Sequence, residues 1–497
     1  MAVIIWVFKL LNNDMLYEGI GYDESHFVWG GWCILKGLVP YRDFLEFKPP
    51  VIFLTHALAL ALHGYSDFRF RWFFLYFPLL SLIALYLALL TRRIDKICAL
   101  ALILAIIHIW LNHHFHDSSL SDTESIGLTY YFFALACLIA RTRFGAKLKV
   151  VGGGLLACCV LSKEPFAASA LFTWLGCFLL DAQRSTLAAD AKSYFKLTCI
   201  GAGAVVLALC LYLAPTGGLS HYVHMVRGYR RIYRDPQQSF CVIWGRFAPS
   251  GDWFKDVKAQ WDRMREDFLN LAYLGYLVPF TALFALFVPR RSILLALAGV
   301  LAFAGGMWAV TASKCQWVHY YSMTMSGLFF AIILGVDSMT RRFASPTVNR
   351  LTGWILLAGV FVALWPRIDE ETDRYRSVAN AYEEGVTGVL AVIKKHTTPK
   401  DRIFTTGAPA LYVQADRLSA VRESTIADPI LNFYPGKTDE ERLSGLRAQL
   451  ERNMPKVVVI EPLYEGERVK HMKLLVTPFL KAHGYKKETD RIWLRPY

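Results

Sequence analysis

The sequence predicts a polytopic all-α membrane domain of about eleven crossings, residues 1–366, followed by a small α/β domain, residues 367–497. Three observations predict it. Of the 497 residues 55% are hydrophobic and only 19% charged, more apolar surface than an ordinary soluble domain can bury. Uncharged runs close to the roughly 20 residues that a bilayer crossing needs recur along the chain. Beyond residue 366 the character turns polar, and strand-like segments alternate with helix-like ones.

Long apolar runs occupy 72–91, 197–220, 268–289, 292–313 and 317–336, and shorter ones 97–112, 125–140, 150–162, 165–180 and 351–366. A first helix at 1–16 is short and carries Lys9 and Asp14; a truncated start and an uncleaved anchor both fit it. With the N-terminus cytoplasmic, the inner loops hold Arg92, Arg93 and Lys96; Arg141, Arg143, Lys147 and Lys149; Arg184, Lys192 and Lys196; Arg290 and Arg291; and Arg341, Arg342 and Arg350. That is a consistent positive-inside pattern, and it sends the stretch 21–50 to the outer side. An odd number of crossings sends the C-terminus there too.

In that tail RIFTT (402–406), KVVVIEP (456–462) and RIWLRPY (491–497) read as short strands, and 377–396 and 438–452 as amphipathic helices. Strands alternating with helices imply a small α/β domain docked on the outer face. It has no GxGxxG and is not read as a nucleotide site, and no nucleic-acid partner is expected. The cysteines fall mostly inside predicted spans, without a CxxC pair, and read as small apolar core residues.

Charge near membrane depth is costly, so the outer-side charges are the first candidates for function. Asp23 and Glu24 precede an aromatic-rich segment, and Asp43, Glu46 and Lys48-Pro49-Pro50 follow it. Two prolines suit the first turn of a helix, so Lys48 stands just ahead of a helix N-terminus, where an ammonium and free N–H groups both attract an anion. The apolar run after them is too short to span and reads as a helix lying in the outer interface. HHFHDSSLSDTES (113–125) holds three histidines with Asp117, Asp122 and Glu124, at a spacing that matches no metal motif; a solvated loop is the plainer reading. Lys163 and Glu164 sit at a tight turn, either as paired boundary charges or as site residues. Arg227, Arg230, Arg231 and Arg234 cluster on the outer side against the positive-inside trend, interleaved with tyrosines. They suit a lipid phosphate, or plain anchoring to anionic headgroups. His319 and Tyr320 open a late span.

At these residues the sequence resembles the GT-C superfamily of integral-membrane glycosyltransferases. The branch is the polyprenyl-phosphate-sugar-dependent one that contains protein O-mannosyltransferases and lipid A aminoarabinose transferases. The likeness rests on YDES, GLVPYRDFLEFKPP, SDTES, LSKEPF and HYY, with DRIFTTGAPALYVQADR in the tail, and spans nearly the whole chain. It implies a bacterial inner-membrane enzyme that takes a sugar from a polyprenyl phosphate and passes it to a glycan, lipid or protein acceptor. Asp23 matches the acid that serves as general base, with Glu24 beside it. Lys48 and the arginines suit the departing phosphate, and Asp43, Asp122, Glu124, Lys163, Glu164, His319 and Tyr320 suit the acceptor or donor. In some relatives a divalent ion sits near the KPP lysine, held by a neighbouring glutamate and a late-span histidine. Here Phe47 precedes Lys48, which leaves Glu46 and His319 as an imperfect pair of ligands, and no metal is expected to be required. A GT-C polymerase or ligase with a diphosphate-linked donor, and a lipid-linked-sugar transporter, are the competing readings. The transporter would place charges along the mid-plane and break helices in a repeated pattern.

Overall fold

The computed structural model describes residues 22–65, 69–110, 121–181, 187–234, 293–312, 322–342, 345–364, 388–407, 409–423, 438–460 and 472–496, with the single positions 255, 258, 259, 262 and 320. The expected spans at 1–16 and 268–289 lie outside these residues. In chain order the helices are α1 (Tyr22–Leu35), α2 (Pro50–His63), α3 (Phe70–Thr91), α4 (Lys96–Trp110), α5 (Thr123–Ile139), α6 (Gly145–Val160), α7 (Phe166–Asp181), α8 (Leu187–Leu213), α9 (Gly218–Arg234), α10 (Ile293–Ala312), α11 (Ser322–Arg342) and α12 (Pro346–Leu364). Two compact units divide the chain: Met1–Phe73 with Cys210–Ile243 and Glu371–Tyr497, and Phe74–Leu209 with Trp244–Glu370.

In the first unit α1 is buried from Glu24 through Cys33. It packs against α2, Phe27 against His56 and Gly30 against Phe53. At Gly31 the two backbones come close, since a Cβ there would lie 2.6 Å from the Ala57 backbone nitrogen. α2 starts where two prolines require it, with Pro49 as N-cap and Pro50 as first residue.

The tail of this unit holds a helix at 388–396, β1 (Arg402–Thr405), a short helix Ala410–Ala415, β2 (Leu418–Ser419), a helix Asp439–Asn453, β3 (Val457–Val459), a helix Thr477–Ala482, β4 (Lys486–Lys487) and β5 (Ile492–Leu494). The sheet runs β2-β1-β3-β5-β4, parallel across its first three strands and antiparallel across the rest. Its core joins Phe404 and Val458 to Leu443, Leu446 and Leu450 of the helix Asp439–Asn453 and to Phe479. Thr438 and Glu441 close that helix's N-terminus as a reciprocal capping box. The three strand-like stretches and the 438–452 helix read from the sequence are thus in place; β2 and β4, two residues each, carry too little pattern to read.

The second unit is helical. α3 and α8 are long and apolar enough to cross a bilayer, and shorter apolar segments lie in α4, α5, α7, α10 and α11. Glycine lets helices touch backbone to backbone: a Cβ on Gly153 of α6 would strike the Thr198 carbonyl of α8. Tyr131 of α5 donates to the Ser326 carbonyl of α11 at 2.6 Å and lies 2.6 Å from Thr173 Oγ1 of α7, one buried polar tie among three helices. Leucines and isoleucines such as Ile83, Leu87, Leu297 and Ile355 are exposed.

Three boundaries differ from the sequence reading. The run at 197–220 is α8, which starts ten residues earlier and stops at Leu213, because Pro215 and Gly217 (φ 77°) turn the chain. The arginine-rich stretch after it is helix α9, because Tyr222, Met225, Val226 and Tyr229 recur at helical spacing as one stripe. The last run is α12, which begins at Pro346.

Candidate active site

Two acids open α1, where carboxylates meet the free N–H groups and positive end of a helix. Successive helical residues diverge by about 100°, and the two acids part accordingly. Glu24 is 1% exposed, and its carboxylate is forked by Arg71 at the start of α3: Nε donates to Oε1 at 3.2 Å and Nη2 to Oε2 at 2.7 Å. Asp23 is exposed, and among the described residues no hydrogen bond or ion pair holds its carboxylate. One turn along, His26 Nδ1 lies 3.2 Å from Glu46 Oε2, while Glu46 Oε1 accepts the Phe47 N–H at 2.9 Å. Glu46 thereby ties the 36–49 loop to the first turns of α1, two residues before Lys48.

Lys48 is half-buried, its ammonium 4.9 Å from the Phe47 ring centre and its carbonyl accepting from the Tyr41 hydroxyl at 2.8 Å. It immediately precedes the proline N-terminus of α2. Tyr41 adopts the left-handed backbone region (φ 68°), a strained choice that its buried ring offsets by packing on Tyr222 of α9 at 4.8 Å. Asp43 faces its own loop: Arg42 Nε donates to Oδ1 at 2.8 Å, and the Val39 N–H donates to Oδ2 at 2.9 Å. The Arg42 guanidinium holds the Asp43 carboxyl below the usual aspartate range. Leu45 N–H donates to the Arg422 carbonyl at 2.6 Å, so the C-terminal fold grips the same loop. Arg227, Arg230, Arg231 and Arg234 all lie on α9, at the i, i+3, i+4, i+7 spacing of one stripe. Arg227 is exposed; the other three side chains lie outside those described.

The second unit gathers its own polar cluster at one end. Glu124, in the first turn of α5, pairs with Lys163 of the α6–α7 turn and accepts from the Thr123 hydroxyl at 2.6 Å. The Lys163 ammonium sits 3.7 Å from the Tyr320 ring centre, a buried cation–π contact. Asp122 is the buried N-cap residue of α5. Lys163 therefore turns to Glu124 rather than to its neighbour Glu164, which is exposed. His319 and Asp117 lie outside the described residues. About 22 Å along α5, fifteen residues on, Arg92 meets Asp337 at 3.0 Å and donates to the Ile139 carbonyl, a second buried lock at the opposite end.

Among the described residues no group of three or more His, Cys, Asp or Glu is arranged to hold a metal ion. Arg71 and His26 were not singled out in the sequence. The pattern FRFRW (68–72) carries a signal for Arg71: a charge at the entry of an apolar run, on the side where the positive-inside rule disfavours it.

No protein-family model matches the chain, and no curated protein does. Solved structures do. ArnT from Cupriavidus metallidurans in the apo state matches with TM-score 0.53 and 13% identity, over 99% of this chain and 96% of that one. The same protein bound to undecaprenyl phosphate gives TM-score 0.53 at 12% identity, again over 99% and 96%. The Archaeoglobus fulgidus oligosaccharyltransferase in complex with Zn and sulfate covers 100% of this chain and 73% of its own, at 14% identity and TM-score 0.49. The chain has the fold of ArnT, a GT-C glycosyltransferase, which is the fold that the YDES and KPP motifs implied.

Proposed function

We propose that this chain is an integral-membrane glycosyltransferase of the GT-C type. It transfers one monosaccharide from a polyprenyl-phosphate carrier to a hydroxyl of a glycan, lipid or protein acceptor, at the outer face of a bacterial cytoplasmic membrane. The observation that carries the reading is the contrast at the head of α1. Glu24, Asp43 and Glu46 are each engaged by a neighbour, whereas among the described residues none engages the Asp23 carboxylate. A general base needs an unspent lone pair within reach of the hydroxyl it deprotonates, and Asp23 has one. The ArnT fold, and its binding of undecaprenyl phosphate, support the donor class.

In the step proposed, Asp23 accepts the proton of the acceptor hydroxyl as that oxygen bonds to the anomeric carbon. The bond from that carbon to the phosphate oxygen breaks, and the phosphate leaves with the electron pair, inverting the centre. Lys48, at the N-terminus of α2, and the α9 arginines match the growing negative charge. Their cations suffice for a monophosphate, so the reaction needs no divalent metal. The chain would cross the membrane about eleven times, with residues 367–497 on the outer side.

The test is transfer by the purified protein in lipid nanodiscs, offered a panel of radiolabelled polyprenyl-phosphate sugars and hydroxyl acceptors. Transfer that Asp23→Asn abolishes supports the reading; transfer that survives it unchanged removes Asp23 from the base role. Activity lost to EDTA and restored by one divalent ion would overturn the metal assignment. Impermeant thiol labelling of Glu440→Cys, but not of Arg143→Cys, in intact cells would support the orientation, and the reverse would refute it.

A further inference from the structure

We propose that Glu24 and Arg71 form a positioning pair whose task is to keep Arg71 occupied, so that the adjacent Asp23 carboxylate stays open. The inference rests on the base role given to Asp23 above. Arg71 enters at the first turn of α3 and delivers a guanidinium to the very turn of α1 that carries both acids. A fork of this kind takes a carboxylate with two parallel N–H bonds, and Glu24 supplies it at 3.2 and 2.7 Å. Both partners are buried, 1% and 5% exposed, so the pair is set by packing and water does not exchange for either. Asp23 is the next residue back and the exposed member of the turn. Without Glu24, we infer, Arg71 turns to Asp23, the acid beside it in the same turn of α1. The guanidinium would then draw that carboxylate inward, bind its lone pairs and lower its proton affinity, all of which weaken a base.

The sequence order matters here. Glu24 begins the unbroken buried stretch of α1, whereas Asp23 lies ahead of it. One acid is therefore sacrificed to the cation and the other kept for solvent and substrate. Arg71 cannot be dispensed with by the same logic, because a buried Glu24 without it is an uncompensated charge.

The experiment reads the acid limb of kcat/KM against pH, which reports the base of the free enzyme. In Glu24→Gln the limb moves to lower pH by about one unit, and kcat at neutral pH falls about tenfold with donor KM within threefold of the parent. In Glu24→Gln/Arg71→Met, which removes the stray cation as well, the limb returns to its original position and kcat recovers in part. A structural role alone would lower the active fraction in both variants and leave the limb where it is. An unmoved limb in Glu24→Gln, or a displaced limb that persists in the double variant, overturns the proposal. Should Glu24→Gln not accumulate, Glu24→Asp retracts the same charge by one methylene and shifts the limb the same way by less; an unmoved limb there overturns it too. Loss of all transfer in Asp23→Asn with no limb shift in the others sinks this proposal only, whereas full transfer in Asp23→Asn sinks the base role of Asp23 beneath it.

Discussion

Glu24 and Glu124 are both glutamates in the first turn of a helix, both buried, and both matched by a cation from another segment. What differs is the cation and the neighbouring acid. Glu24 meets an arginine fork that fixes two bonds at once, and the acid before it, Asp23, is exposed. Glu124 meets the point charge of Lys163, which also leans on the Tyr320 ring, and the acid before it, Asp122, is buried. A planar fork holds one geometry, whereas an ammonium with three rotatable donors adapts to what it meets. The first arrangement suits a residue that must stay in one place for proton transfer. The second suits a surface that accommodates a bound group. On the function proposed above, the head of α1 would serve chemistry and the head of α5 binding.

The largest expected effect breaks the comparison outright if it fails. Asp23→Asn lowers kcat by about 10²–10⁴-fold, the usual worth of a positioned general base, whereas Asp122→Asn costs about tenfold at most; single-turnover transfer measures both. Equal losses would mean that the two acids share one role. Next in size is stability. Lys163→Met leaves Glu124 buried without its cation and costs about 3–5 kcal/mol, seen as a lower unfolding midpoint of the full chain in detergent, while Glu124→Gln/Lys163→Met restores most of it. A single variant as stable as the parent would show that water, not Lys163, balances Glu124. Smaller again, replacing the exposed Arg227 of α9 by glutamine (Arg227→Gln) raises donor KM about threefold, more at low salt than at high, with kcat unchanged. A kcat effect with KM intact would move that arginine from binding to chemistry.

How much of this was legible beforehand depends on whether the signal was local. The apolar runs gave most helices, and the alternation of the tail gave β1, β3 and β5, because burial imposes period and length on a segment regardless of its partners. The KPP start of α2 was readable because proline has only one good place in a helix. Pairings were not readable. Lys163 has Glu164 next to it in sequence and Glu124 next to it in space, and only the packing of the α6–α7 turn on α5 decides between them. Arg71 and Glu24 are 47 residues apart, and no periodicity links them. The α9 helix was weakly marked in the sequence, because charged and apolar residues alternate closely there and its tyrosine and methionine stripe is short.

A third buried glutamate sharpens the contrast from the opposite direction. Glu423, where the C-terminal fold meets the Leu45 backbone, has neutral Gln449 at 3.1–3.2 Å and, among the described residues, the half-exposed Arg422 as its one cation. Burial therefore wins, and its carboxyl is pushed above the ordinary value of 4.5 despite both neighbours. A carboxyl whose folded pKa lies above its unfolded one binds protons more readily when folded, so folding is favoured as pH falls through the folded value and the gain is complete below the unfolded one. Protection of the β3 amides at Val457–Val459 against hydrogen exchange in the full chain, corrected for the intrinsic pH dependence, should thus grow modestly from pH 7 to pH 5. Glu423→Gln should show the acid-level protection already at pH 7 and lose the pH dependence. Protection that instead falls with acid would mean that Arg422 holds Glu423 ionised. The rule separating the paired glutamates from this one, that a buried carboxylate stays charged only beside a buried cation, would then fail at its simplest case.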